Sequence, residues 1–334
     1  MMLKEDLRKT PVQLGILFFT LVLFLITNQL LRDNKQLDFI PVIFGLMIAL
    51  EIGAFVMLEV KEGAAKWGWK HEIVDTLIML AAAIAIWLAA GFILNTGSPV
   101  SGVVSCSMLP NLQRGDFVVV QGAPVRAYEI SMSQAELESL NDKAQIATPD
   151  TNATIDGSIF PYCIKNRNAG ITEAMCQEFI KTPESVVERK GAFTYRYERC
   201  SISFSNGDVK SEPCLKSVTF HGKQYLTNLS DDIVVYQPAK DDIYARVGDI
   251  VHRTFFAIDV EGKKYYLTRG DNNPILDLQA YDYNSGTGNR PIPQANLRGK
   301  VIGRIPYLGY FKLFISGYFQ EDAQCKTQLE FSHV

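Results

Sequence analysis

The sequence predicts a multi-helix membrane anchor followed by a mainly β domain that carries an inserted, disulfide-containing α+β lobe. Three observations predict it. The apolar residues of this 334-residue chain crowd into three long runs before position 95. The remainder is polar, aromatic and rich in Gly, Asn and Asp, with short β-branched runs set between turn residues. Four of the six cysteines fall in one stretch of that remainder. Chain averages hide this division, since 47% hydrophobic residues and a net charge of −3 describe an ordinary soluble protein. The weakly acidic balance, without a Lys/Arg cluster, carries no footprint of nucleic-acid binding.

Residues 12–31 hold no charge over twenty positions, and at about 1.5 Å per residue such a helix matches the ~30 Å of bilayer hydrocarbon. A second run, 39–58, is interrupted only by Glu51, and a third, 76–94, has no charge. The first run ends in Asn-Gln-Leu-Leu-Arg and lacks the cleavage site of a removable signal peptide, so it is expected to stay in place. Lys4, Arg8 and Lys9 precede the first run and Lys61, Lys66 and Lys70 lie between the second and third, against Arg32 and Lys35 in the loop between. That bias puts the N-terminus in the cytoplasm and everything after residue 95 on the extracytoplasmic face of a multi-pass cell-membrane protein. Glu51 has no Lys or Arg at its depth, and reads as a snorkelling or protonated helix contact rather than a transport path.

The outer region reads as short strands: 116–121 (DFVVVQ), 232–237 (DIVVYQ), 249–258 (DIVHRTFFAI), 264–268 and 300–305. Between the first two lies the inserted lobe, 127–230, opening with one capped surface helix over 131–147. Cys163, Cys176, Cys200 and Cys214 suit two disulfides between nearest neighbours in an oxidising compartment. No C-x₂₋₄-C pair is present to favour zinc. The disulfides are expected to hold a lobe with too little apolar surface for a large core. Asn152 and Asn228 head N-x-S/T triplets in the same region. The apolar stretch 305–319 is short for a span, and reads as a surface dipping into the outer leaflet or as a buried strand pair before a polar tail.

Serine chemistry needs a base, and the histidines are few. His71 falls on the inner side, His333 in the tail and His221 in a turn of the lobe, which leaves His252 on a strand as the better candidate. Downstream, Arg269-Gly270-Asp271-Asn272-Asn273-Pro274-Ile275-Leu276-Asp277 places two carboxylates on a turn where they can orient an imidazole. The same oxygens do not follow an EF-hand spacing. Upstream, Ser105-Cys106-Ser107-Met108-Leu109-Pro110 sets two hydroxyls beside small residues just after the third run.

Taken in order, Ser105–Pro110 with Arg114-Gly115-Asp116, then Asp232–Tyr236, Ile250-Val251-His252-Arg253, Thr268–Asn273 and Gly299–Gly309 resemble the sequence boxes of type I signal peptidases. The likeness covers about 96–126 and 231–311, leaving the anchor 1–95, the lobe 127–230 and the end 312–334 outside it. His252-Arg253 aligns it with the archaeal and endoplasmic-reticulum branch rather than the lysine-using bacterial one. The resemblance implies a signal-peptidase-like β fold and a serine endopeptidase that cuts signal peptides from exported preproteins after small residues. It implies Ser107 as nucleophile, His252 as general base, Asp277 as orienting carboxylate and Asp271 as supporting acid. The Ser107 N–H, the Ser105 hydroxyl and Met108 then belong to the oxyanion and substrate-binding set. Implied partners are preprotein signal peptides, the lipid bilayer and the protein-translocation channel, with no metal or cofactor. A nucleophile so soon after the third run is expected close to the bilayer surface.

The chain also departs from that pattern. Cys106 stands between the two serines and reads as a reactive thiol, which strand alternation would point away from the Ser107 face. Three N-terminal helices and a lobe of this size exceed what the family usually carries. Competing readings are a non-catalytic, membrane-anchored binding or assembly module of the secretion or cell-surface machinery, a lysine-base enzyme using Lys263 or Lys264, and a protease restricted to one cell-surface precursor.

Overall fold

A computed structural model describes residues 10–30, 39–165, 173–315 and 323–331. Lys4, Arg8, Lys9, Arg32, Lys35, His333 and positions 316–319 lie outside the described residues. Two compact units divide the chain, Met1–Ala89 and Ala90–Val334.

The first unit is helical: α1 (Thr10–Leu30), α2 (Phe39–Trp67) and most of α3 (Trp69–Ile93). By length and composition the segments Ile43–Trp67 and Trp69–Ile93 can cross a membrane, and nearly all their side chains face outward. Within α1 the apolar stretch is shorter, Val12–Phe24. Glu51 meets α1, accepting from the Thr20 hydroxyl at 2.8 Å, the helix contact expected of an isolated carboxylate among apolar residues.

The second unit is mostly β. It opens with β1 (Val100–Gly102), β2 (Phe117–Gln121) and β3 (Tyr128–Ser131). There follow α4 (Gln134–Ser139), β4 (Ala144–Ala147), β5 (Asn152–Ile155), α5 (Ala174–Lys181), β6 (Val187–Lys190), β7 (Phe193–Phe204), β8 (Val209–Phe220) and β9 (Lys223–Leu226). The chain then forms β10 (Ile233–Tyr236), β11 (Ile250–Val260) and β12 (Lys263–Arg269). It ends with the short β13 (Tyr281–Asp282), β14 (Thr287–Gly288) and β15 (Ile292–Pro293), then β16 (Leu297–Ile305), α6 (Tyr310–Ile315) and β17 (Thr327–Glu330).

Among the described residues these strands make two large sheets. One runs β1-β2-β16-β10-β11-β12-β15, with β3 parallel to β11. The other runs β5-β4-β6-β7-β8-β9, with β17 on β7. Strand β11 (IVHRTFFAIDV) is buried almost throughout, as a β-branched and aromatic run inside a sheet should be.

Three expectations are corrected here. The lobe helix is one turn and a half, since Ser133 caps it through a capping box with Glu136 and the alternating Ala144–Ala147 pairs as a strand. The lobe does not lack a core. One apolar cluster runs from Ile146, Phe179, Phe193 and Val218 of the lobe into Phe256, Leu267 and Leu276 of the first sheet. Phe193 and Phe256 stack with centroids 5.5 Å apart. The strand-pair reading of 305–319 fails as well, because a helix follows the strand that ends at Ile305.

Candidate active site

Ser107 lies in the loop between β1 and β2, where Leu112 N–H donates to Met108 O at 2.9 Å and closes a turn. The residues after β12 hold this loop from behind. Asn272 N–H donates to Ser107 O at 2.7 Å, and Asn272 Nδ2 donates to Cys106 O at 3.1 Å. Gly270 permits that approach, since a Cβ there would stand 2.6 Å from Ser107 O.

His252 is donated by β11, in register with Val234. Its Nε2 lies 2.9 Å from Ser107 Oγ and its Nδ1 2.6 Å from Asp277 Oδ2. All three side chains are buried. With Nδ1–H donating to the carboxylate, the Nε2 lone pair faces the serine hydroxyl, the arrangement in which an imidazole can take its proton. Ser105 Oγ is 3.1 Å from Ser107 Oγ. Among the described residues, Ser107 N–H donates to no backbone carbonyl.

Asp277 Oδ2 receives two further donors, Thr268 Oγ1 at 2.5 Å and Tyr236 OH at 3.1 Å. Burial, and then the Asp277 carboxylate, push the Tyr236 hydroxyl well above its ordinary pKa, so it remains a donor. Arg269 is buried nearby with its guanidinium 4.1 Å from the Phe331 ring centroid. Burial pulls that guanidinium down to about 10, still protonated at neutral pH.

Several sequence-assigned residues stand elsewhere. Asp271 does not touch His252. It takes Arg253 in a fork at 2.8 and 2.7 Å, and Asn111 Nδ2 at 2.7 Å. The reason is strand alternation: Arg253 follows His252, so its partner lies across the strand from the imidazole. Met108 sends its side chain into the core with Val118, Val235 and Val251, leaving only its backbone at the loop. Lys263 and Lys264 are exposed at the far end of β12, and Lys264 Nζ lies 4.0 Å from Glu129. His221 is a surface residue whose Nε2 lies 2.6 Å from Glu136.

Cys106 is not a free thiol: it is bonded to Cys325. The other bridges are Cys163–Cys176 and Cys200–Cys214, so all six cysteines are paired. Parity was the available signal, since four clustered cysteines leave two over. A Glu198 carboxylate oxygen lies within 4.8 Å of the Cys200 and Cys214 sulfurs, but sulfurs joined to each other offer no thiolate to a metal.

Thr268, Tyr236, Asn272 and Asn111 have no signal of their own in the sequence, although all but Asn111 sit inside the boxes quoted above. Their parts depend on which strands become neighbours.

No protein-family model matches the chain. Over 85 residues it is 36% identical to the signal peptidase complex catalytic subunit SEC11 of Candida dubliniensis, covering 25% of this chain and 46% of that protein. The corresponding subunit of Lodderomyces elongisporus gives the same identity and coverage. That of Sclerotinia sclerotiorum is 34% identical, with 44% of its length covered. The chain thus spans less than half the length of these curated relatives, and the resemblance read from its boxes is to homologues that carry the signal peptidase name.

Proposed function

We propose that the chain is a membrane-anchored serine endopeptidase that removes N-terminal signal peptides from exported preproteins, cutting after small residues. The observation that carries this reading is the buried series Ser107 Oγ, His252 Nε2, His252 Nδ1, Asp277 Oδ2, with both separations within hydrogen-bond reach. The homologues' name supports the same substrate class.

In this mechanism His252 takes the Ser107 proton as Oγ attacks the scissile carbonyl, and Asp277 holds the imidazole in the required tautomer and stabilises its protonated form. Ser107 N–H donates to the developing oxyanion, with the Ser105 hydroxyl as second donor. His252 then passes its proton to the leaving amine and activates the water that releases the acyl group. Asp271 serves by holding Arg253 and Asn111 rather than by touching reacting atoms.

The long apolar helices support anchoring in the bilayer. The reading retains three crossings, a cytoplasmic N-terminus and an extracytoplasmic catalytic unit, in keeping with the Lys/Arg bias and with six cysteines in three bridges. Signal peptides delivered by the translocation channel would then meet Ser107 on the side where they emerge.

Cleavage of a model preprotein in reconstituted membranes tests the assignment. Ser107→Ala is expected to abolish processing, and a mutant that cleaves as well as wild type would remove Ser107 from the reaction.

A further inference from the structure

The 127–230 lobe lies outside the signal-peptidase likeness, yet it reaches the triad through buried polar groups. Asp277 opens a single helical turn, Asp277–Gln279, closed by Gln279 N–H on Leu276 O at 3.0 Å and Ala280 N–H on Asp277 O at 3.1 Å. The Gln279 side chain faces two ways. Its Oε1 accepts from Leu276 N–H at 3.1 Å, which ties off the residue just before Asp277. Its Nε2 donates to Tyr197 OH at 2.8 Å and to Ser158 Oγ at 3.3 Å, both in the lobe.

That pair of hydroxyls is itself oriented. Tyr197 OH donates to Glu188 Oε2 at 2.5 Å and Ser158 Oγ donates to the same oxygen at 2.9 Å. With the hydroxyl protons drawn toward Glu188, the hydroxyl lone pairs point to the Gln279 amide, and this fixes which way the amide lies. Ser158, Glu188, Tyr197 and Gln279 are each at most 1% exposed. At that burial an unmade hydrogen bond is costly. A second tie runs beside the first: Leu215 N–H of β8 donates to Pro274 O at 2.7 Å, three residues before Asp277.

We propose that the lobe positions the triad carboxylate, with Gln279 as the positioning residue that joins the Ser158–Glu188–Tyr197 cluster to the turn carrying Asp277. This deepens the peptidase reading and rests on it. Gln279 touches neither substrate nor reacting atoms. Its effect reaches His252 through the placement of Asp277 Oδ2, and displacement by even about 1 Å in such a geometry is felt in rate.

The test uses the full chain in reconstituted membranes with a model preprotein, and two near-isosteric variants. Gln279→Met keeps the side-chain length and removes all three side-chain bonds. Tyr197→Phe keeps the ring packed on Phe179, at 5.0 Å between centroids, and removes the bridge. Gln279→Met is expected to lower kcat about tenfold with KM within about twofold of wild type. The acid limb of its pH–kcat/KM profile is expected at lower pH, because a displaced carboxylate stabilises the imidazolium less. Tyr197→Phe is expected to do the same to a smaller extent, and the double variant to be no slower than Gln279→Met alone.

A folded Gln279→Met with wild-type kcat and an unmoved acid limb overturns the proposal. So does a profile lowered in height without displacement, which reports only lost folded enzyme. Should Gln279→Met fail to fold, Tyr197→Phe is judged by the same two readouts. Ser107→Ala runs in parallel: if it still cleaves, the peptidase assignment falls, whereas full loss in Ser107→Ala beside an unaffected Gln279→Met sinks the lobe coupling alone.

Discussion

Asp277 Oδ2 accepts from His252, Thr268 and Tyr236, so its lone pairs are aimed by three elements at once. Hydrogen bonds to a charged group contribute about 1.5–3 kcal/mol. Thr268→Val, which keeps the shape, is therefore expected to lower kcat about tenfold with an unchanged fold, measured by preprotein cleavage and circular dichroism. Asp271 has a different role. Asp271→Ala leaves the buried Arg253 guanidinium without its counter-charge and is expected to cost about 3–5 kcal/mol of stability in denaturant unfolding; a fully stable but inactive variant would return Asp271 to the reaction. Asp231 adds a pH dependence. Burial raises its carboxyl to about 6, against about 3.9 in an unfolded chain. Between those values the folded chain holds a proton the unfolded chain has lost, so stability falls as pH rises through the window. Asp231→Asn is expected to flatten that fall in thermal unfolding followed from about pH 4 to about pH 7.

The segment Ala323–Glu330 acts as a strap across the loop that carries Ser107. Cys325 bonds Cys106 beside Ser107. Asn272, which holds the carbonyls of Cys106 and Ser107, also donates to Thr327 O at 2.9 Å and accepts from Leu329 N–H at 2.7 Å. Strand β17 then pairs with β7. The strap thus links the Ser107 loop, the turn after β12 and the lobe sheet. The Cys106–Cys325 bridge spans 219 positions, and replacing both cysteines by alanine is expected to cost about 2–4 kcal/mol in the oxidised protein. Unfolding midpoints with and without reductant check this, and the double alanine variant should lose its response at this bridge. At the level of elements the sequence was a good guide to strands. The β-branched runs at 116–121, 232–237, 249–258, 264–268 and 300–305 each overlap a strand of the first sheet. It misjudged 131–147, where helix spacing in the first half hid a pairing strand in the second, because four residues of β-structure are stabilised by the strands on either side, the adjacent β5 and the more distant β6.

For the whole molecule, the compact unit Ala90–Val334 holds both sheets and the lobe. Strand β3, from the start of the 127–230 insertion, lies parallel to β11, the strand that carries His252. Protease added outside sealed, right-side-out vesicles is expected to reach the lobe and leave an N-terminal tag protected; the reverse pattern would invert the proposed topology. The sequence by itself determined the apolar helices, the strand runs, the nearest-neighbour spacing of the lobe cysteines and the order of the boxes that hold Ser107 and His252, with Asp277 just beyond the Thr268–Asn273 box. Those depend on local composition and spacing, which a linear reading carries. Tertiary structure alone decided that Asp271 pairs with Arg253 and Asn111, that Cys106 is bridged to Cys325, and that Tyr236, Thr268 and Asn272 converge on the site. It also decided that the lobe shares a core with the first sheet and touches the turn of Asp277. These are pairings between residues distant in sequence, fixed by which strands become neighbours and which face each side chain takes, and no local pattern encodes them.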